Sequence, residues 1–457
     1  MCFLNKKHIT RPDPIYHPPS PPMPDYELRD PVHKRIAFNE FERSVIDHPF
    51  FQRLRFISQL GFIQAYVYPG AVHDRFSHAL GAMHVAGRLF DRVLDSAPDV
   101  FSRLTHEQVD GLHQRVRLAG LLHDVGHGPF SHASEIVFPM LERLPIDWTW
   151  WRGKPVTRQA VHEDYSVLLI QTLVREEVLE SDIAQDICSL IHADATPSSW
   201  LTALESRVPS LQKVLKGLIS GEVDCDRMDY LLRDSYFCGV AYGQYDIDWL
   251  ISSMGVEEHD SGLVFTISEN GVRAFEDLLL ARYHMIDQVY CHKTKMGFTH
   301  YLEQAIIQGE IDMKIPTDPY AYASLHDGAV IEQFLGAARV QKNYWSIHLM
   351  RRLTAKRILR LHDVVRDEDR QTLETLKGMC DKAGIKWFTH SIQKELTFLG
   401  EAPEKTQKIF VKKKTITGYD LVPIFQYSDL LQKYNEKLQF TDFFVHREDV
   451  GKFAELV

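Results

Sequence analysis

Between about residue 36 and residue 310, apolar side chains recur three and four positions apart in segments of roughly ten to twenty residues, the spacing of amphipathic helices. FSHALGAMHVAGRLFDRVL, VRLAGLLHD, EDYSVLLIQTLV and FEDLLLARYHMIDQVY carry this pattern most clearly. The period changes near the end of the chain. After a basic amphipathic helix predicted near Arg351 to Arg360, KWFTHSI, KIFVKKK and DFFVHRED read as short strands beside polar turns. At the other end, RPDPIYHPPSPPMP (11–24) reads as an extended lead-in. PIDWTWWRGKPV (145–156) sets three tryptophans among breakers and reads as a packed surface insertion. The expected fold class is therefore mostly α: a proline-rich extension over 1–25, a helical core over 26–310 and a smaller C-terminal α+β domain over 311–457. No internal repeat is visible.

Composition narrows this reading. At 457 residues the chain exceeds one simple core, and 44% hydrophobic with 25% charged residues is ordinary for a soluble globular protein. No apolar run reaches the ~20 residues of a membrane span, and the N-terminus lacks a secretory pattern. The six cysteines, Cys2, Cys188, Cys225, Cys238, Cys291 and Cys380, show no CxxC spacing, which argues against a disulfide framework or a thiolate zinc site. A cytoplasmic setting with no membrane partner is expected. The formal charge of −10 gives no global attraction for nucleic acid, although local basic patches would still act. The run of Lys408, Lys412, Lys413 and Lys414 is expected to be a solvated face.

Candidate chemistry concentrates in LLHDVGHGPFSHASE (121–135), three histidines and two carboxylates set directly after an apolar run. With His78 in DRFSHALG and Asp226 in DCDRMDYLLRD, the adjacent His123 and Asp124 supply imidazole and carboxylate suited to a borderline or hard divalent cation. Neighbouring residues at a helix end lie about 100° apart, yet short side chains there still converge on an ion over the gap. Two His and two Asp leave coordination positions for water and a substrate oxygen. Gly126, Gly128 and Pro129 stop the helix and let the backbone come close to a ligand. A lone His-Asp pair is usually incidental; the whole set in chain order carries the signal.

That set resembles the HD-domain phosphohydrolases, and within them the dNTP triphosphohydrolases of animals and bacteria. The resemblance runs through DPVHKRI (30–36), FFQRLRFISQLG (50–61), YPGAVHDRFSHALG (68–81), AGLLHDVGHGPFSH (119–132), VHEDYSV (161–167), DCDRMDYLLRDSYFCGV (224–240) and RYHMIDQVYCHK (282–293). It implies that His78, His123, Asp124 and Asp226 ligate one transition metal, Mn, Fe, Zn or Ni, with Mg²⁺ accompanying the triphosphate. It implies that His132 acts as general acid on the leaving oxygen or contacts the α-phosphate, oriented by Glu135, where the animal enzyme has Asp and the bacterial ones an H-x-x-E pattern. His162 and His127 match further active-site histidines.

By the same resemblance Arg75, Arg227 and Arg282 contact phosphates, Arg227 replacing a lysine of the animal enzyme. Gln59, Leu60, Tyr230, Asp234 and Tyr290 match the residues that select the sugar: Gln and Asp bond the 3′-hydroxyl, and the tyrosine at 290 leaves no room for a 2′-hydroxyl. Asp47 and Arg55 match positions that hold an activating guanine nucleotide, but Tyr26, Glu27 and Arg29 depart from the accompanying motif. A homo-oligomer, dimer or tetramer, and a nucleotide effector are the partners implied beside the dNTP substrate. The implied reaction is hydrolysis of a dNTP to deoxynucleoside and inorganic triphosphate, controlling dNTP pools. Two alternatives remain open from sequence: an HD-type hydrolase for another nucleotide or a nucleic-acid end, and a catalytically quiet nucleic-acid-binding oligomer.

Overall fold

The computed structural model describes residues 26–153, 157–260, 262–362, 367–394, 409–433 and 438–457. The expected extension over 1–25, residues 154–156 of the tryptophan stretch, and Lys408 lie outside the described residues.

The chain opens with an antiparallel ribbon, β1 (Tyr26–Asp30) and β2 (Lys34–Phe38). Helices α1 (Arg75–Ser96), α2 (His106–Leu122), α3 (His162–Arg175), α4 (Ser181–Ile191), α5 (Leu211–Ile219) and α6 (Cys225–Cys238) form the main body. Strands β3 (Met254–His259) and β4 (Gly262–Ser268) make a hairpin, followed by α7 (Val272–His284), which runs into a π-helical turn over Met285–Tyr290. Then come α8 (Lys293–Ile307), α9 (Pro319–Ala323), α10 (Asp327–Ala337), α11 (Tyr344–Met350), β5 (Lys356–His362), α12 (Asp367–Ala383) and β6 (Trp387–Lys394). Strands β7 (Ile409–Lys414), β8 (Tyr419–Pro423) and β9 (Leu438–Val445) complete the elements that concern us. The mostly α class with a sheet-containing part is as expected. No helix among the described residues is long and apolar enough to cross a membrane.

The structure corrects two local expectations. The segment expected to be a basic helix near Arg351–Arg360 ends α11 and then forms strand β5, pairing antiparallel with β9. Its Lys, Arg and Leu content favours helix only weakly, and pairing overrides that preference: Arg360 binds Asp442 of β9 (2.7 and 2.9 Å) and Asp287 (2.8 Å). Within the 36–310 stretch read as helical, the β3–β4 hairpin also forms, and the β1–β2 hairpin stands at its start.

Sheet β3-β4-β7-β8 draws strands from both sides of residue 311, with β7 parallel to β4. The main core likewise runs from Ile36 to Leu431 and takes in Phe334, Leu349, Val411 and Ile424 together with α1 and α2. Sheet β5-β9-β6 has period-two faces: Phe440 and Phe444 pack towards Met296 and Tyr301 of α8, and Phe443 and Val445 towards Cys380 of α12. The tryptophan stretch packs as expected, with Trp150 and Trp151 buried in the main core.

Candidate metal centre and its surroundings

Three helix ends meet at one point. Asp74 caps α1 by accepting from the Ser77 amide (2.8 Å), which sets Arg75 and His78 in the first turn. Asp224 caps α6 in the same way through the Arg227 amide (2.7 Å), which sets Asp226 one residue inside. The buried Leu121 and Leu122 anchor the last turn of α2, and His123 is its C-cap.

The four predicted ligands come together. Nε2 of His78 lies 3.0 Å from Asp226 Oδ1 and 3.6 Å from Asp124 Oδ2. Nε2 of His123 lies 3.4 Å from an oxygen of each aspartate. The other ring nitrogens are committed elsewhere: His78 Nδ1 donates to Asp229 Oδ2 (2.7 Å) and His123 Nδ1 to the Gly120 carbonyl (2.8 Å). That fixes each N–H on Nδ1 and leaves a lone pair on each Nε2. Both Nε2 atoms are buried without a hydrogen-bond partner among the described residues. Two nitrogen lone pairs facing two carboxylates need a cation between them, so this donor set fits a divalent metal. Without one, protons take its place. Burial opposes charge on His78, but the carboxylates of Asp226 and Asp229 beside its two nitrogens outweigh it and push the imidazole up to about 10. Asp226, despite burial, is held below the usual carboxylate range by His123 and His78.

Asp229 is the main residue that sequence reasoning missed. It accepts from His78, from His33 (2.7 Å) and twice from Arg233 (2.8 and 2.7 Å), and Arg233 in turn binds Asp30 (2.7 Å). The turn of the β1–β2 ribbon is thereby tied to a predicted metal ligand, His78. The available signal was its place three residues after Asp226, one helical turn on in DCDRMDYLLRD.

Beside this centre lies the predicted acid–base group. Glu135 Oε1 accepts from His162 Nδ1 (2.6 Å) and His132 Nδ1 (3.2 Å), and the rings of His127 and His162 stack at 3.7 Å. His132 is well exposed at the rim, while His127 is buried against Asp124 (3.3 Å). Ligand atoms of these four residues lie within 4.8 Å of one another, close enough to share an ion. The ring planes argue against it. Imidazole lone pairs lie in the ring plane, so two rings stacked at 15° aim them side by side and not at one point. Burial pushes His127 well below its ordinary value, and Arg75 and His162 add to this. Glu135 resists burial through its bonds from His132 and His162 and is held down to about 2.

The predicted phosphate contacts are near but engaged. Arg75 pairs with Asp124 and donates to Ser131 Oγ (3.0 Å). Arg227 donates to the carbonyls of Gly221 and Glu222. Arg282 is half-buried and interacts electrostatically with Arg227, Tyr230 and Asp224. The predicted sugar contacts assemble as a second linked set. Tyr290 donates to Asp234 Oδ2 (2.7 Å), whose other oxygen meets His73 Nε2 (2.7 Å). The Gln59 amide donates to the His73 carbonyl (3.0 Å), and its buried side-chain oxygen has no hydrogen-bond partner among the described residues. His73 was not foreseen. Leu60 is half-buried next to Gln59. Tyr230 bridges the two sets, its ring 6.5 Å from His78 and 6.1 Å from Tyr290. The π-helical turn ends on Tyr290, a form of helix common at functional sites. Asp47 and Arg55 are exposed, Asp47 bound to Arg43 (3.1 Å) and Arg55 lying over Phe76.

The turn after His123 and Asp124 is held from outside. Buried Arg53 donates to the carbonyls of Val125, His127 and Leu325, and Tyr322 donates to that of Gly126 (2.6 Å). A Cβ on Gly126 would strike backbone atoms of His162, Tyr165 and Ser166, so that space is taken by α3 and is not left for a ligand, contrary to the sequence expectation.

A helical body with a His/Asp centre at converging helix ends is the arrangement of the HD domain, whose family matches residues 75–234. Residues 75–234 of the chain thus form an HD domain. An uncharacterised protein of Methanocaldococcus jannaschii is 32% identical over 333 residues, 73% of this chain and 59% of that protein. The deoxynucleoside triphosphate triphosphohydrolase SAMHD1 of Bos taurus is 30% identical over 304 residues, 63% of this chain and 48% of that enzyme. The chain spans about half the length of the curated relatives it matches. A crystal structure of a hypothetical protein from Aquifex aeolicus superposes with a TM-score of 0.69 at 26% identity, covering 94% of this chain and 99% of that one.

Proposed function

We propose that this protein hydrolyses deoxynucleoside triphosphates to deoxynucleoside and inorganic triphosphate. One observation carries the reading furthest: the Tyr230 ring stands between the His/Asp centre and the Tyr290–Asp234 pair, while His127 of the Glu135 group meets the same centre at Asp124. His78, His123, Asp124 and Asp226 would hold the metal, which when bound lowers the pKa of water and polarises a phosphoryl oxygen. Glu135 keeps the N–H of His132 and His162 on Nδ1, leaving each Nε2 for a substrate oxygen. His132, at the rim, acts as an imidazolium: it gives the proton on Nε2 to the leaving 5′-oxygen and keeps the Nδ1 proton that Glu135 holds. His162, carrying charge, and Arg227 with Arg282 balance the triphosphate. Gln59 and Asp234 bond the 3′-hydroxyl, and the Tyr290 ring occupies the space of a 2′-hydroxyl, so a ribonucleotide would have to displace it. SAMHD1 of Bos taurus is by name a deoxynucleoside triphosphate triphosphohydrolase, which supports the substrate class.

The test is to incubate the purified protein with each dNTP and each NTP, with Mn²⁺ or Mg²⁺, and to resolve the products. Deoxynucleoside and triphosphate from dNTPs are expected. Phosphate release from monophosphates alone, or no turnover, overturns the reading.

A further inference from the structure

Two consecutive residues just before His132 adopt left-handed backbone conformations, Phe130 at φ 59° and Ser131 at φ 57°. Neither is glycine, so the turn persists only where its surroundings impose it. Within the turn, the Ser131 amide donates to the Gly128 carbonyl (3.0 Å). From outside, one carboxylate does most of the holding. Asp327 stands at the first position of α10, nearly 200 residues away, and is almost fully buried. Its Oδ1 accepts from the Phe130 amide (2.9 Å). Its Oδ2 accepts from both the amide (3.0 Å) and the hydroxyl (2.6 Å) of Ser58. The Ser131 hydroxyl then closes the loop by donating to the Ser58 carbonyl (2.9 Å). Ser58 precedes Gln59, and Ser131 precedes His132.

We propose that Asp327 is a positioning residue that locks the strained Phe130–Ser131 turn to the Ser58 segment, so that the proton donor and the sugar-reading glutamine are held at one fixed separation. The inference rests on the roles given above to His132 and Gln59. It adds that α10, far from those motifs in sequence, sets their relative placement. A carboxylate is required because donors approach both oxygens. An Asn side chain of the same shape would turn its NH₂ against either the Phe130 N–H or the Ser58 donors, and one arm of the clamp would open.

The experiment compares full-length wild type with Asp327→Asn by amide hydrogen exchange, metal content and dNTP kinetics. Exchange over residues 128–134 is expected to accelerate about tenfold or more, while α1 and α6, which carry His78 and Asp226, exchange as in wild type. With metal content unchanged, kcat should fall about ten- to a hundredfold with KM altered far less, the pattern of a misplaced reacting group. Unchanged exchange at 128–134, or acceleration spread evenly over all helices in step with a lowered Tm, overturns the proposal. If Asp327→Asn does not fold, Ser58→Ala carries the test: faster exchange confined to 56–60 and 128–134 supports it, and none overturns it. Wild-type protein inactive on every dNTP sinks the functional reading, and the exchange result then decides alone on Asp327.

Discussion

Glu135 accepts hydrogen bonds from two imidazoles, and this fixes how the group titrates. Its own carboxyl is held down to about 2, while His162, despite burial, is raised above its ordinary value by Glu135 and then Glu163. The two shifts have opposite pH signs. The Glu135 contribution to stability is present above its unfolded value near 4.5 and fades as pH falls towards 2. The His162 contribution is full below its unfolded value near 6.5 and is lost as pH rises through the folded one. Glu135→Gln should therefore cost most stability between about pH 4.5 and 6.5, and less on either side. Urea unfolding at a series of pH values reads this directly; a pH-independent difference would refute the pairing. The Tyr290 ring makes a separate prediction. Tyr290→Ala should raise kcat/KM for NTPs relative to dNTPs by about 10- to 100-fold, a loss of steric exclusion. Unchanged selectivity in competition assays would remove the residue from that role.

At the scale of elements, the metal centre depends on how closely helices approach. Gly81 lies on the face of α1 that packs against α6, where a Cβ would overlap the Asp229 carboxylate and the Arg233 guanidinium. Gly81→Ala should cost about 1–3 kcal/mol through overpacking. It should also weaken metal binding about 10- to 100-fold by displacing the support of His78. Titration calorimetry with Mn²⁺ checks the second effect, and wild-type affinity in a destabilised variant would separate the two. Such dependence explains which parts were legible in the sequence. Helix periodicity placed α1, α2, α3 and α7, and the candidate ligands His78, His123, Asp124 and Asp226 stood out as a set of imidazoles and carboxylates in chain order with their flanking sequence intact. Strand β5 was read as helix because the partner that decides it, β9, begins about 80 residues later. Arg53, Tyr322 and Asp327 act through backbone groups of a distant turn, so no local pattern marks them.

For the whole molecule, the segment after residue 310 is part of the same packing unit as the helices that carry the candidate ligands. Val330, Phe334, Leu349, Val411 and Ile424 belong to the main core, and Tyr322 and Asp327 hold the turn between His123 and His132. A fragment of residues 26–310 should accordingly lack cooperative unfolding and bind Mn²⁺ weakly, as judged by thermal denaturation and calorimetry. A fragment that melts sharply with wild-type affinity would show that the first part stands alone.

The parallel pairing of β4 with β7 has a consequence for the birth of the chain. During synthesis β4 leaves the ribosome well before its partner β7 exists. At translation rates of about 5–20 residues per second, the wait is on the order of ten seconds. Throughout that interval the hairpin presents an open edge with Phe265 and Ile267 not yet covered, a template for stray strands from neighbouring nascent chains. The order of emergence thus leaves this edge open until nearly the whole chain has been made.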